Sequence, residues 1–517
     1  MRVDTMRPSK VLIVGLDGAD WHVLDDLMAN GYMKNLKALT EEGIRATLMS
    51  TIPPVSGPAW LSIATGLNPC KLGIFDFLYR KSPNSFRLSP ISSIEFRGRA
   101  IWDILSRKGW RVGIINYPML WPPYPINGFM ISGIGSPKSE GITYPAQLED
   151  QLNELADGYE IMVTYADDER FMTDLRRVLL KREKILLTLA EETWDFLFTV
   201  FSCTDWIQHY FWRYIDPSYS GYDRKKAHKY TAFFRWVFQH VDNIIGALIR
   251  MVGEEATVMI ISDHGFQALK GAFNLARWLE IHGYISMKST IIRRNLSSLL
   301  ATLAPKQLRT RISQIMGNML NSITFRKLRV IIPSHSINLG AIYLTAGNKL
   351  NRVSILSQLK RTFASLGLRA EFFDAKGMCD PMYAWRAPDV LFCLENWACI
   401  IVKDPRRPFL YTRDVSSVSK FSGIHRPEGV FVIKGPYIRR GGQAGVVRTM
   451  DVAPTLLHML GMGVPSFMDG LPVKDVFEDG SPPARRPVVV GARRGLREEV
   501  RRRARRARLK LRGRGSS

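Results

Sequence analysis

Seven side chains suited to binding divalent cations or attacking an electrophile stand in five short pieces of this sequence. They are Asp17 in "VGLDGAD", Ser56 in "PPVSGPAW", Asp205 and His209 in "SCTDWIQHYFW", Asp263 and His264 in "IISDHGF", and His425 in "FSGIHRPEG". Three of the pieces directly follow apolar, strand-like runs, so their carboxylates fall where a strand leaves the core. Asp205 and His209 are four apart and share a face if that segment is helical. Asp263 and His264 precede Gly265 on a turn, which lets two diverging side chains wrap one ion. Mixed His and Asp donors suit Zn²⁺, with Mn²⁺ as the other candidate. Singly, each has a plainer reading: Asp17 a turn residue, Asp205 and His209 a helix-face pair, His425 a loop histidine. It is the set, in this order, that points to a metal centre.

Ser56 lies in "TIPPVSGPAWLSIATG", residues 51–66. Proline fixes φ and keeps the preceding residue out of the helix, so the chain should arrive extended and turn near Ser56–Gly57. A helix beginning at Pro58 would put the hydroxyl at a helix N-terminus, which favours an anion. Two roles stay open here: a helix cap, for which serine is a preferred residue, or a nucleophile facing a phosphate.

The elements that must hold these groups alternate. "KVLIVGLDG" (10–18) reads as a buried strand, and "DDLMANGYMKNLKALTEEG" as a helix. "IWDILSRKGWRVGIINYP" (101–118) reads as helix then strand, and "DFLFTVFSC" (195–203) and "ATVMIISDHG" (256–265) as two further strands. Apolar runs alternating with helices predict an α/β fold with a largely parallel sheet, whose ligands bind at the strands' C-terminal ends. Residues 286–335 are basic, apolar and at helical spacing, and predict an inserted helical cap that packs over the site or shapes an entrance for anionic substrates. Segments 341–367 and 431–461 resume strand-then-helix patterns. Trp60, Phe75, Phe77, Tyr117 and Trp121 are either core and wall residues or the lining of a pocket.

The 517 residues carry a net charge of +25, with 46% hydrophobic residues. No apolar run reaches the eighteen or so residues of a membrane span, and "MRVDTMRPSK" lacks the apolar stretch of a secretory signal. Five cysteines without a CxxC pair predict free thiols, a reducing compartment and a cytoplasmic protein. Residues 481–517 hold fourteen Lys/Arg against two Glu. They predict a solvated, disordered tail that is drawn to anionic lipid or nucleic acid, with a peripheral position at a membrane surface as one consequence.

With these motifs together, the chain resembles the alkaline phosphatase superfamily, in its type I phosphodiesterase/nucleotide pyrophosphatase branch and the related phosphohydrolases and phosphomutases. "PAWLSIATGLNP", "GIFDF", "NYPMLWPPYPINGFMISG", "IQHYFWRYID" and "MDVAPTLLHMLG" carry the resemblance beyond the ligand motifs, over about residues 10–477. It implies a three-layer sandwich catalytic domain, residues 1–285 and 336–480. It also implies a two-metal hydrolase of small-molecule phosphate esters, a phosphodiesterase/nucleotide pyrophosphatase or a phosphomonoesterase, acting through a phosphoserine. Asp17, Asp263 and His264 would hold one ion, Asp205, His209 and His425 the other, and Ser56 would be the nucleophile, in contact with the first. A phosphomutase or phosphotransferase would share the same serine, and a non-catalytic binding protein would use the cap and tail instead. Two departures stand out: Ala59 replaces the Asn that nucleotide pyrophosphatases usually carry three positions after the nucleophile, and Leu72 replaces a His before the Gly of "GIFDF".

Overall fold

The computed structural model describes residues 10–83, 88–137, 139–285, 330–331, 338–344 and 349–490. A nine-stranded sheet runs in the order Val447–Arg448, Ile44–Met49, Glu428–Lys434, Thr257–Ile261, Val11–Leu16, Phe196–Phe201, Val112–Tyr117, Gly128–Ser132, Thr143–Tyr144. From Thr257–Ile261 to Gly128–Ser132 every pairing is parallel, while Glu428–Lys434 lies antiparallel to both its neighbours. The strands' unbroken apolar character has a simple cause: both faces are covered. Leu12, Val14 and Leu16 enter one core with Val258, Ile260 and Leu197, beneath the helices Trp21–Ala29, Lys34–Glu42, Asp168–Ala190, Cys203–Ile215 and Arg224–Val252. Val11 and Ile13 point the other way, with Met259, Ile261, Phe196 and Phe198, onto Ser56–Thr65, Ile101–Arg107 and Val452–Met459. The α/β class and largely parallel sheet expected from the sequence are the ones observed.

Several local expectations are corrected. The segment after Asp17 is two helices, not one, because the chain turns at Gly31 with φ +77°. The helix near the prolines starts at Ser56 rather than Pro58. Val55 is the extended residue before it (φ −127°, ψ 135°), and its carbonyl accepts from Ala59 N–H at 3.0 Å.

The cap expected over 286–335 lies outside the described residues, apart from the two-residue strand Val330–Ile331. The stretch after it does not extend the central sheet. Gly340–Leu344 joins Val330–Ile331, Val390–Leu394 and Ala370–Phe373 in a separate four-stranded sheet. Its own core packs Ile342 and Phe392 with Ile355, Leu359 and Phe363 of the Lys349–Ser365 helix.

The free-thiol expectation fails for two of the five cysteines. Cys70 and Cys379, 309 positions apart, form a disulfide, while Cys203, Cys393 and Cys399 are free and buried. The bond ties the short helix Pro69–Leu72, just after the Ser56 helix, to the smaller sheet's unit among Phe75, Leu339, Ala341, Leu391 and Trp397. Sequence spacing gives no sign of it, because the fold alone brings the two thiols together. The inference to a reducing, cytoplasmic compartment loses its premise.

The basic tail expected from 481 is described as far as Val490. Pro482–Arg485 forms a helical turn with Pro483 buried. His458 Nε2–H donates to the Pro483 carbonyl at 2.8 Å, and Arg486 donates to the His458 carbonyl at 2.9 Å. Truncation after Gly480 should lower stability by about 1–3 kcal/mol, measured by denaturant unfolding.

Candidate metal centre

Three neighbouring strands bring the carboxylates together. Val11–Leu16 lies between Thr257–Ile261 and Phe196–Phe201, all three parallel, so Asp17, Asp263 and Asp205 emerge side by side at the C-terminal edge. Asp205 is in the first turn of Cys203–Ile215, which places His209 one turn further along. His425 arrives on Gly423–Arg426, antiparallel to Gly265–Ala268, with His425 opposite Phe266. Ser56, as the first residue of its helix, makes no capping hydrogen bond; its Oγ stands 3.1 Å from His264 Nε2.

Among the described residues, two triads each bring three ligand atoms within 4.8 Å of one another: Asp17, Asp263 and His264, and Asp205, His209 and His425. The triads adjoin, for the His264 and His425 rings stack at 3.7 Å between centroids. The first is sealed (Asp17 1%, Asp263 and His264 0% exposed), whereas Asp205, His209 and His425 (8%) and Ser56 (7%) retain some access. A substrate would meet the second triad and the serine first.

The donor chemistry fits cations. His209 Nδ1 faces the Gly423 carbonyl (3.1 Å), His425 Nδ1 the Pro54 carbonyl (3.2 Å) and His264 Nδ1 the Gly265 carbonyl (3.2 Å). Each Nδ1 must then carry the proton, which leaves every Nε2 with a lone pair. His425 Nε2 stands 3.0 Å from His209 Nε2 and 3.1 Å from Asp205 Oδ1, so three potential ligand atoms converge there. His264 Nε2 stands 3.2 Å from Asp263 Oδ2 and 3.7 Å from Asp17 Oδ1. Asp17 Oδ1, Asp205 Oδ1 and Asp263 Oδ2 are buried without a hydrogen bond. Buried acceptors facing one another are costly unless a cation satisfies them.

The proton affinities tell the same story. Burial, reinforced by the charges of Asp263 and Asp205, holds Asp17 well above the usual carboxylate range. Burial lifts Asp263 to about 7. Burial also opposes ionisation of Asp205, but the charge of His209, His425 and His264 in their protonated forms and the His425 hydrogen bond outweigh it and hold that carboxyl at about 2. Burial pushes His209 down to about 4 and His264 well below its usual value. Neutral imidazoles and ionised carboxyls are the states that ligate metals, so a cation entering the first triad would displace the protons that burial makes Asp17 and Asp263 hold.

Sequence reasoning missed the supports around these groups. Trp60 and Tyr117 are fully buried core residues, not pocket lining, and Trp60 Nε1–H donates to Asp17 Oδ2 at 3.2 Å. Phe75 is also buried, while Phe77 and Trp121 are only partly so. Gly18 N–H donates to Asp263 Oδ1 (3.2 Å), and Thr204 Oγ1–H to the Asp17 carbonyl (2.7 Å). The Phe421 ring stacks on His209 at 4.4 Å. Gly18 has a φ of +70°, and a Cβ there would overlap the Phe266 ring. Gly18→Ala should weaken metal uptake and lower the melting temperature together, read by metal analysis and thermal unfolding.

The family model for type I phosphodiesterase/nucleotide pyrophosphatase matches residues 11–321. The chain belongs to this family. The match spans every candidate ligand except His425, and hydrolysis of phosphoesters is the family's chemistry. No curated protein matches the chain. Among solved structures, murine ectonucleotide pyrophosphatase/phosphodiesterase 5 is 14% identical, covering 91% of this chain and 100% of its own, with a TM-score of 0.46. The human protein of the same name is 13% identical, with the same coverage and TM-score. Likenesses this distant say nothing of this chain's substrate.

Proposed function

We propose that this hydrolase cleaves small phosphate esters with two divalent cations, through a phosphoseryl intermediate on Ser56. The observation that carries the reading is the pair of buried triads of carboxyl oxygens and imidazole nitrogens with the Ser56 hydroxyl at their border. Asp17, Asp263 and His264 would hold one cation and Asp205, His209 and His425 the other, Zn²⁺ first and Mn²⁺ second on donor type. Such ions, when bound, act as Lewis acids that lower the proton affinity of oxygen nucleophiles and offset charge building at phosphorus. Ser56 Oγ loses its proton to water and forms a bond to phosphorus as the P–O bond to the ester oxygen breaks opposite it; that oxygen takes a proton from water and leaves as the alcohol. Water then attacks the phosphoserine, releasing phosphate and restoring the hydroxyl. Gly57 N–H, at the start of the helix, is available to a non-bridging oxygen. Ala59 has no side-chain amide to offer that oxygen, so the reading does not extend to nucleotide diesters in particular.

The test is a paired assay with aryl phosphate mono- and diesters, with Zn²⁺ or Mn²⁺ added. Aryl alcohol release that stops on chelation supports the reading, whereas release that a chelator leaves untouched overturns it. The same proposal gives residues 491–517, with twelve Lys/Arg against two Glu, an accessory role in drawing the enzyme to anionic surfaces. Truncation after Val490 should leave hydrolysis of the soluble aryl ester within about twofold. A larger loss would place the segment in the catalytic unit.

A further inference from the structure

The two triads meet where His425 stacks on His264. His264 is held by the turn after Thr257–Ile261, and His425 by a four-residue strand arriving from far along the chain. The strand's next residue, Arg426, pairs with Gly265. Successive strand side chains point to opposite faces, so Arg426 leaves the metal side as His425 enters it. Its Nε–H donates to Glu428 Oε2 at 2.9 Å and lies 3.4 Å from Asp20 Oδ2. Asp20 is 2% exposed, and its Oδ1 accepts from His22 N–H at 2.7 Å, capping Trp21–Ala29. Asp20 Oδ2 has no hydrogen bond, so the Arg426 guanidinium is its charge partner. A Cβ on Gly265 would overlap both Asp20 Oδ2 and the Glu428 carbonyl, so the carboxylate lies against the turn that carries His264.

Asp20 thus touches the turn bearing one triad's histidine and, through Arg426, the strand bearing the other's. It also sits three residues after Asp17, at the head of the next helix. We infer that Asp20 and Arg426 are positioning residues, whose ion pair sets His425 against His264 and so fixes the spacing of the two candidate cation sites. Neither residue faces the ligand atoms or Ser56. Removing Arg426 strands a buried carboxylate and frees the His425 strand, which loosens the Asp205–His209–His425 triad more than the sealed one.

The inference rests on the two-cation reading, and the experiment separates the two. Full-length wild type, Asp20→Asn, Arg426→Met, Arg426→Lys and the Asp20→Asn/Arg426→Met double variant are stripped of metal and titrated with Zn²⁺ by calorimetry. The melting temperature of each metal-free protein is recorded alongside. The expected result is two cations in wild type, with one retained near wild-type affinity and the other weakened about 10- to 100-fold in Asp20→Asn and Arg426→Met. The double variant should be no weaker than the worse single variant, because both break one pair. Arg426→Lys should recover part of the loss. The split between sites is the decisive readout, since a merely structural role would lower the melting temperature and leave the ratio of the two affinities unmoved. Two cations with unchanged affinities in Arg426→Met and in the milder Asp20→Asn overturn this inference and leave the metal reading standing. A wild type that takes up no cation overturns both.

Discussion

Asp263→Asn is expected to reduce cation uptake at the sealed site at least about 100-fold and to abolish ester hydrolysis, while making the metal-free protein more stable. The opposed signs follow from the site. Asp263 is fully buried, one of its oxygens has no hydrogen bond, and it stands against Asp17 and a neutral His264. Without a cation this carboxylate is a burden on the fold, and with one it is a ligand. A residue kept for structure would give the same sign in both states.

The linkage can be followed with pH. Asp263 titrates near 7 in the folded protein and at 3.8 ordinarily, and Asp17 is raised as well. The stability they contribute is full below about 4 and is lost as pH rises through the folded values. His209, brought down to about 4 from 6.5, and His264 work the other way, costing stability as pH falls below 6.5. The two effects oppose each other between about 4 and 6.5, and only the carboxylates act above that. Metal-free wild type should therefore lose stability from about pH 6.5 to 8, and Asp263→Asn should lose less of it. Denaturant unfolding at several pH values in chelator checks this, and a flat wild-type profile would count against crowded carboxylates. Saturating Zn²⁺ should reverse the slope, because the cation takes the place of the protons.

Ser56→Ala should leave both cations bound and cut turnover of an aryl phosphate ester by roughly a thousandfold or more. The hydroxyl borders a triad, at 3.1 Å from His264 Nε2, and it serves no helix-capping role whose loss would confuse the result. The methyl group fits the space, so the helix Ser56–Thr65 should be undisturbed. Metal analysis and turnover on the same preparation separate the outcomes. Full turnover with alanine would remove Ser56 from the chemistry, and loss of a cation would make it chiefly a ligand. Trapping radiolabelled phosphate on wild type, and not on the variant, would place the intermediate.

The local order of the sequence determined the strand runs, the α/β class and the seven candidate residues. Asp17, Asp205 and Asp263 each follow a run of apolar residues buried on both faces, and that pattern is written in consecutive side chains. Only the tertiary structure decided that the three strands are neighbours, that His425 crosses from a distant segment to lie on His264, and that Cys70 meets Cys379. The supports from Trp60, Asp20 and Arg426 were likewise invisible, since each depends on which distant backbone or carboxylate faces it. The physical reason is range. Burial periodicity and turn preference act between neighbours in the chain, whereas ligand geometry, desolvation and thiol pairing act between groups that only the packed sheet and its helices bring into contact.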